Sequence, residues 1–535
     1  MPATPPPPAT ARPYGLATPH ALATGAGDAV RREGGNAVDA ALAAAIALTV
    51  VYPHQCAVGG DLIALVALPD GRVVAVNGSG AAARAADPGA LSGTRMPVTG
   101  PLTVTVPGVV AGWATLSELG GRLPWRRLFT EAVAFAREGV PTAPGVATAL
   151  REEAGTLMAD EGMRGVFYPG GRPLDTGAPL RQPALADSLA LIAEAGPEAL
   201  YEGSLGVGIV ERLRRLGSPL TPDDLAAHAT ETAEPLSAVF RGEEYLTAPP
   251  NSQGIHLLQA LRLIERMPEH TDLLGRDARL TARIFDAITH DRDRYLADPR
   301  HVPVPVGELL GDSRLDALAA TVLEGHGSAP QAGPAPRAEA SRPSGDTVAV
   351  VAADDDGCAV SLIQSLFHSF GSGILDPASG IVLHNRGSFF DLAPGSPNRL
   401  AGGRRPAHTL MPVLTRRDGF LTGAHGTMGG KAQPQIHTHL ALRLHAGDDP
   451  ATALARPRWV IGGLGVDEPA GVASVESGVP GDAVAALRGG GYRTEVLGDL
   501  DEQVGHGQLV RRTPEGVFSA ATDPRSDGAA TAVGG

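Results

Sequence analysis

Lysine is nearly missing from this chain. Lys431 is the only one in 535 residues, and arginine supplies the other positive side chains. The formal charge is −14, with no basic cluster. A phosphate backbone is held by clustered Lys and Arg, so a nucleic-acid partner is excluded. Cysteine is scarce as well, with only Cys56 and Cys358, so no disulfide framework is expected. The start, Met1-Pro-Ala-Thr-Pro-Pro-Pro-Pro8, lacks the basic and apolar regions of a secretory signal, which makes the cytoplasm the expected location. No apolar run reaches the ~18–20 residues of a membrane span. The longest, Ala40–Tyr52, reads as a buried helix, and no membrane partner is expected. Aromatic residues make up 4% of the chain against 43% hydrophobic ones, so the core must be aliphatic and rich in alanine. No Gly-x-Ser-x-Gly elbow occurs, which disfavours a serine hydrolase of that type.

What is present divides at a linker. Residues 1–13 read as a disordered Pro-rich tail, and 326–346 as a flexible linker of Pro, Ala, Gly and Ser. Between them, Asn36 is a cap for a helix over Ala37–Val51, with Pro53 as its stop. Leu62–Leu68 and Val73–Val76 flank the turn Pro69-Asp70-Gly71 and read as a hairpin. Residues 109–330 read as mainly helical. After the linker come two strands, Thr347–Ala353 and Cys358–Leu366, joined by Asp354-Asp-Asp-Gly357. Further strands follow at Ile381–Leu383, Pro412–Thr415 and Phe420–Ala424, then a helix over Gln433–His445. Sheets in both halves with helices before and after suggest a layered α/β arrangement. Composition by itself favours the linker as a boundary between two independent domains.

Thr347 stands where the linker meets a buried strand. A hydroxyl is a weak nucleophile until a base takes its proton. An α-amino group, with a pKa of about 7.7–8.0, can be that base in the same residue once the preceding peptide bond is cut. Taken alone, however, Thr347 reads more simply as a β-branched strand residue. Gly429 and Gly430 precede a helix, where two backbone N–H groups can face a developing oxyanion; alone they read as a plain turn. Lys431 beside them invites a phosphate loop, but Ala432 replaces the Mg²⁺-binding hydroxyl and His425 the first glycine. His437, His439 and His445 do not share one helix face, and the acidic turn lacks calcium-loop spacing. No metal and no cofactor are expected.

Several blocks together resemble the γ-glutamyltransferase family of N-terminal nucleophile hydrolases. They are Gly34-Gly-Asn-Ala-Val-Asp-Ala-Ala41, Tyr52-Pro-His54 with Gly59-Gly60, Val106–Gly112 with Gly121–Trp125, Gly345-Asp-Thr347, Ser369–Gly373, Gly380–Asn385 and Gly426-Thr-Met-Gly-Gly430. The resemblance implies a four-layer αββα sandwich built jointly by two fragments, 14–346 and 347–535, which remain associated after self-cleavage between Asp346 and Thr347. It implies that Thr347 is the nucleophile, that Gly429 and Gly430 form the oxyanion hole, and that Ser365 supports the nucleophile. An acyl-enzyme would then pass to water or an acceptor amine.

The departures bear on substrate. Ser79 occupies the place of the arginine that clamps a glutamyl α-carboxylate, and Phe389 that of the aspartate for its α-ammonium. Phe367 replaces a pocket asparagine, and His408-Thr409 a pair of serines. Without those charges, a glutamyl zwitterion would be left unpaired in the pocket. Arg386 and His408 remain as polar candidates to orient a substrate. The expected activity is a threonine hydrolase or acyltransferase acting on a small-molecule amide other than a standard γ-glutamyl bond. A carbon–carbon hydrolase of a natural-product pathway and a non-catalytic binding protein of the same fold are the alternatives.

Overall fold

Thr347–Ala353 is apolar from end to end because both faces of its strand are covered. The computed structural model describes residues 12–91, 93–267, 269–325, 346–462 and 471–534. In it, Asp346–Asp354 lies within a seven-stranded sheet ordered Ala529–Val533, Tyr14–Thr18, Asp346–Asp354, Ala359–Phe367, Asp61–Ala67, Val73–Asn77, Glu231–Ala233. A six-stranded sheet runs Phe518–Thr522, His506–Arg512, Phe420–Met428, Val413–Arg417, Glu243–Thr247, Leu236–Phe240. All pairings in both sheets are antiparallel.

The strand's two-residue period sorts its side chains into two cores. Ala349, Val351 and Ala353 join Ile63, Ile363, Leu414 and Val510 between the two sheets. Val348, Val350 and Ala352 face the other way, into a core with the helix Ala37–Val51. That helix is buried at every position, which is why its sequence is hydrophobic all round. Its start is a capping box: Asn36 Oδ1 accepts from Val38 N–H and Asp39 N–H, and the Asp39 carboxylate accepts from Asn36 N–H. Helices Gly254–Glu265, Ala278–Tyr295, Asp312–Glu324 and Gln433–His445 cover the outer face of the second sheet. The order helix, sheet, sheet, helix is the expected four-layer sandwich.

Two expectations need correction, and the mainly helical stretch 109–330 gains strands. The linker is not a boundary between independent domains: Asp346–Asp354 pairs with Tyr14–Thr18 on one side, and Ala359–Phe367 pairs with Asp61–Ala67 on the other. The stretch 109–330 also contributes the strands Leu236–Phe240 and Glu243–Thr247, a hairpin turned at Arg241-Gly242. The strand beginning at Phe420 runs on to Met428. The tail and linker fall, at 1–11 and 326–345, outside the described residues. Among those described, no helix is long and apolar enough to cross a membrane. Cys56 and Cys358 are buried and unpaired.

Candidate active site

A bulge brings Thr347 and Ser365 together. Pairing between the two central strands shifts between Gln364 and Phe367. Ser365 lies in that shift, and its hydroxyl takes part in three contacts. Thr347 Oγ1 donates to Ser365 Oγ at 3.0 Å, Phe367 N–H donates to it at 2.7 Å, and Ser365 Oγ donates to the Asp346 carbonyl at 2.5 Å. One hydroxyl therefore bridges the side chain of Thr347 and the carbonyl of the peptide bond before it. Phe367 reaches this position with φ at 81°, a conformation rare for a bulky residue. Gly60 fits against the same spot only because it lacks a side chain, since a Cβ there would lie 2.6 Å from the Ser365 carbonyl. Asp346 Oδ2 is out of solvent and without a partner. Burial pushes the Asp346 carboxyl well above its ordinary value, and Glu502 and Glu153 push it the same way.

Gly429 and Gly430 lie between the strand ending at Met428 and the helix starting at Gln433. Their φ values of 150° and 49° suit glycine. Gln253 Nε2 ties this turn down by donating to the Gly430 and Thr409 carbonyls, each at 2.8 Å.

Arg386 opens the short turn that follows the strand Ile381–Leu383, and it is fully buried. Its Nη1 donates to Thr409 Oγ1 at 3.1 Å, while Nε and Nη2 have no hydrogen-bond partner. The guanidinium lies 4.0 Å from the centre of the Phe367 ring, which meets the Phe389 ring edge-on at 5.4 Å. Lys431 Nζ is 5.5 Å from the centre of the Phe389 ring. Burial pushes the Arg386 guanidinium down to about 9, against the opposing pull of Asp61.

Asp61, also fully buried, ties these residues together. Its Oδ2 lies 3.1 Å from His408 Nε2, 3.3 Å from His384 Nδ1 and 3.8 Å from Arg386 Nε. Along the sheet, Asp61 is the cross-strand partner of Ser365. Burial pushes its carboxyl up, but His384 and His408 outweigh this and hold it below the usual carboxylate range. Ser79 sits one step further out. Its hydroxyl accepts from Asn251 Nδ2 at 3.1 Å, and the Asn251 carbonyl accepts from His408 N–H at 2.7 Å. The predicted residues thus form one connected group, with Thr347 and Ser365 at one end and Ser79 at the other. A cleft of about 480 Å³ adjoins it, walled by Phe389, Lys431, Arg292, Arg95 and Met96.

The sequence reading missed Asp61, His384, Asn251 and Gln253. Asp61 could have been noticed as a lone acid heading the wholly apolar run Leu62–Leu68. The other three carry no sequence signal, because their roles depend on distant loops meeting. The histidines and aspartates weighed as metal ligands have protein neighbours. His439 packs against Trp459 and Phe285, and His445 lies 3.4 Å from Glu243. Asp354, Asp355 and Asp356 form the hairpin turn, and Arg31, Arg12 and Arg122 pair with them.

Comparison with known proteins agrees with this architecture. The gamma-glutamyltranspeptidase family model matches residues 23–533. The chain is 36% identical over 516 residues to the oxamate amidohydrolase proenzyme of Klebsiella pneumoniae, covering 94% of this chain and 95% of that protein. It is 35% identical to the glutathione hydrolase-like YwrD proenzyme of Bacillus subtilis, covering 95% and 96%. The crystal structure of cephalosporin acylase from Bacillus halodurans superposes with a TM-score of 0.89 at 32% identity, covering 100% of this chain and 99% of that one. The chain belongs to the gamma-glutamyltranspeptidase family and is an enzyme of the N-terminal nucleophile hydrolase class, acting on amide bonds.

Proposed function

We propose that this chain cuts itself between Asp346 and Thr347, and that Thr347 then hydrolyses a small amide with a carboxylate beside the scissile carbonyl, as in oxamate. The observation that carries the substrate reading is Arg386, a buried cation whose Nε and Nη2 make no hydrogen bond, with Asp61 3.8 Å from Nε. Buried donors without acceptors are costly, and a substrate carboxylate would satisfy two at once in the paired geometry that guanidinium favours. The similarity to a protein named as an oxamate amidohydrolase proenzyme supports the same chemistry. A glutamyl group would also need a partner for its α-ammonium, and the place expected for one holds Phe389.

In self-cleavage, Thr347 Oγ attacks the Asp346 carbonyl carbon while Ser365 donates to the carbonyl oxygen. The C–N bond breaks as its nitrogen takes the hydroxyl proton, an ester forms, and water hydrolyses that ester to leave residues 1–346 and 347–535 as associated fragments. The freed α-amine then takes the proton from Thr347 Oγ in each turnover. Oγ adds to the substrate carbonyl, and the Gly429 and Gly430 N–H groups hold the oxyanion. Ammonia leaves with a proton, and water releases the diacid. Thr409 fixes Arg386, the Phe367 and Phe389 rings wall the acyl pocket, and His408 and Ser79 belong to the supporting network. Two unpaired buried cysteines suit a reducing compartment, and the cytoplasm is the proposed location.

Ammonia release from oxamate, acetamide and γ-glutamyl-p-nitroanilide (by p-nitroaniline for the last) tests the reading. Oxamate should be turned over best. Equal rates on acetamide, or fastest turnover of the γ-glutamyl anilide, would refute it.

A further inference from the structure

The cleft beside the candidate site is far larger than oxamate needs. Its volume of about 480 Å³ falls within the range of about 300–1,000 Å³ that holds much bigger ligands. It begins where the fixed points of the site end. The Phe389 ring walls it and also meets the Phe367 ring of the acyl pocket. Lys431, the residue after the Gly429–Gly430 turn, stands on another side. In the proposed reaction the substrate carboxylate lies on Arg386 and the oxyanion on Gly429 and Gly430. The remaining group on the scissile carbon is the amine, and the open space next to both fixed points is this cleft.

A chain of net charge −14 gathers positive side chains here. Lys431, Arg292 and Arg95 line the cleft, against Asp293 and Asp391. Neither acid is idle. Arg292 Nε donates to Asp293 Oδ1 at 3.0 Å, and Asp391 Oδ1 accepts from Ala393 N–H at 2.9 Å. Arg292 is buried, and its Nη1 donates to the Lys431 carbonyl at 3.4 Å, which ties the lysine backbone to the wall. The Phe389 carbonyl accepts from Asn398 Nδ2 at 2.6 Å, which ties down the opposite wall. Ser388 also lines the cleft, on the short turn that carries Arg386. It is buried, and its hydroxyl makes no hydrogen bond. A buried hydroxyl without a partner is costly, and an oxygen of a ligand in the cleft would relieve it. A cleft with an excess of positive charge draws an anionic ligand.

We propose that the cleft of Lys431, Arg292, Arg95 and Ser388 is a leaving-group site for a carboxylate, and that the preferred substrates are oxalyl amides of amino acids. This rests on the reading of Arg386 as the anchor of the oxalyl carboxylate. The oxalyl group fills the acyl pocket, and the amino-acid carboxylate lies among the cleft's ammonium and guanidinium donors, which hold carboxylates by charge-assisted hydrogen bonds. Thr347 Oγ adds to the carbonyl beside the anchored carboxylate, and its proton goes to the α-amine. The C–N bond then breaks, that proton passes to the departing nitrogen, and the free amino acid leaves. Water hydrolyses the ester on Thr347. One water is consumed, and one oxalate and one amino acid are formed.

The test follows oxalate release by the mature enzyme from N-oxalylglycine and from N-isobutyloxamate, in which an uncharged group of similar shape replaces the glycine carboxylate. Wild type should favour N-oxalylglycine by about tenfold or more in kcat/KM, the size of one hydrogen bond to a charged group. Lys431→Met and Ser388→Ala are compared by the ratio of the two substrates, in which effects common to the acyl side cancel. Self-cleavage on a gel checks that each variant folds. The ratio should fall most of the way to one in Lys431→Met and part of the way in Ser388→Ala. Arg386→Gln should slow both substrates and leave the ratio as in wild type. Equal turnover of the two substrates by wild type, or a preference that survives whole in both Lys431→Met and Ser388→Ala, would overturn the leaving-group site and leave the anchor standing. Undiminished turnover of both substrates by Arg386→Gln would overturn the anchor reading itself.

Discussion

Ser365→Ala isolates one hydroxyl at the proposed self-cleavage junction. In the uncut chain, this hydroxyl donates to the Asp346 carbonyl and accepts from both Thr347 Oγ1 and Phe367 N–H. Removing it takes away a preplaced donor aimed at the oxygen where negative charge develops. Loss of one such donor typically costs about 2.7–4 kcal/mol, or about 10²–10³ in rate. The two orphaned donors add a separate penalty to folding, about 1–3 kcal/mol for each buried group left unsatisfied. The variant should therefore melt lower and mature about 10²–10³ times more slowly, yet still mature, because Thr347 Oγ remains. The assay is a pulse of cell-free synthesis, a chase, and a denaturing gel that follows conversion of one band to two. Ser365→Thr, which keeps the hydroxyl, should recover most of the rate. Maturation of Ser365→Ala at the wild-type rate would refute the bridging role. Complete arrest equal to that of Thr347→Ala would show that Ser365 does more than polarise the carbonyl.

Phe367→Leu removes the ring under Arg386. A desolvated cation–π contact is worth about 1–2 kcal/mol, so KM for oxamate should rise about 5- to 30-fold, as measured by ammonia release. Asn36→Ala takes the cap from the buried helix Ala37–Val51 and should destabilise the chain by about 1 kcal/mol or more in denaturant titration. Asp286, far along the sequence from the site, is pushed up to about 6 by burial, opposed by the hydrogen bond from Tyr492. The native chain keeps a proton there that the unfolded chain gives up near its ordinary value of about 3.9. Its stabilisation is thus complete below that value and lost as the pH rises through about 6. Melting curves of Asp286→Asn should show a shallower decline over that window than wild type.

Much of the fold could be read from periodicity, and the failures have physical reasons. The all-apolar helix Ala37–Val51 and the hairpin after it are long, uniform signals. Leu236–Phe240 and Glu243–Thr247 carry a weak signal because each is only five residues long. In the strand from Phe420, Gly426 looks like a turn residue, which hides the continuation to Met428. Gly426 is instead small because Ala349 and Ile363 of the facing sheet press against it, within 2.7 and 2.9 Å of where its Cβ would be. Thr347 and Ser365 can be singled out from the ordered family-like blocks around them. Asp61 and His384 were not, because their partners lie hundreds of residues away and only the fold supplies them.

The first sheet alternates strands from the two sides of the Asp346–Thr347 bond: Tyr14–Thr18, then Asp346–Asp354 and Ala359–Phe367, then Asp61–Ala67. Ala529–Val533 also pairs with Tyr14–Thr18, so a chain cut at that bond is stitched along three seams of this sheet at once, and neither piece can be lifted out without opening all of them. Mature enzyme would not exchange its halves with neighbouring molecules, so a mixture of active and inactive variants would not scramble. Dilution would likewise not separate the pieces, and the two-piece enzyme should lose its fold in a single event, as an intact chain does.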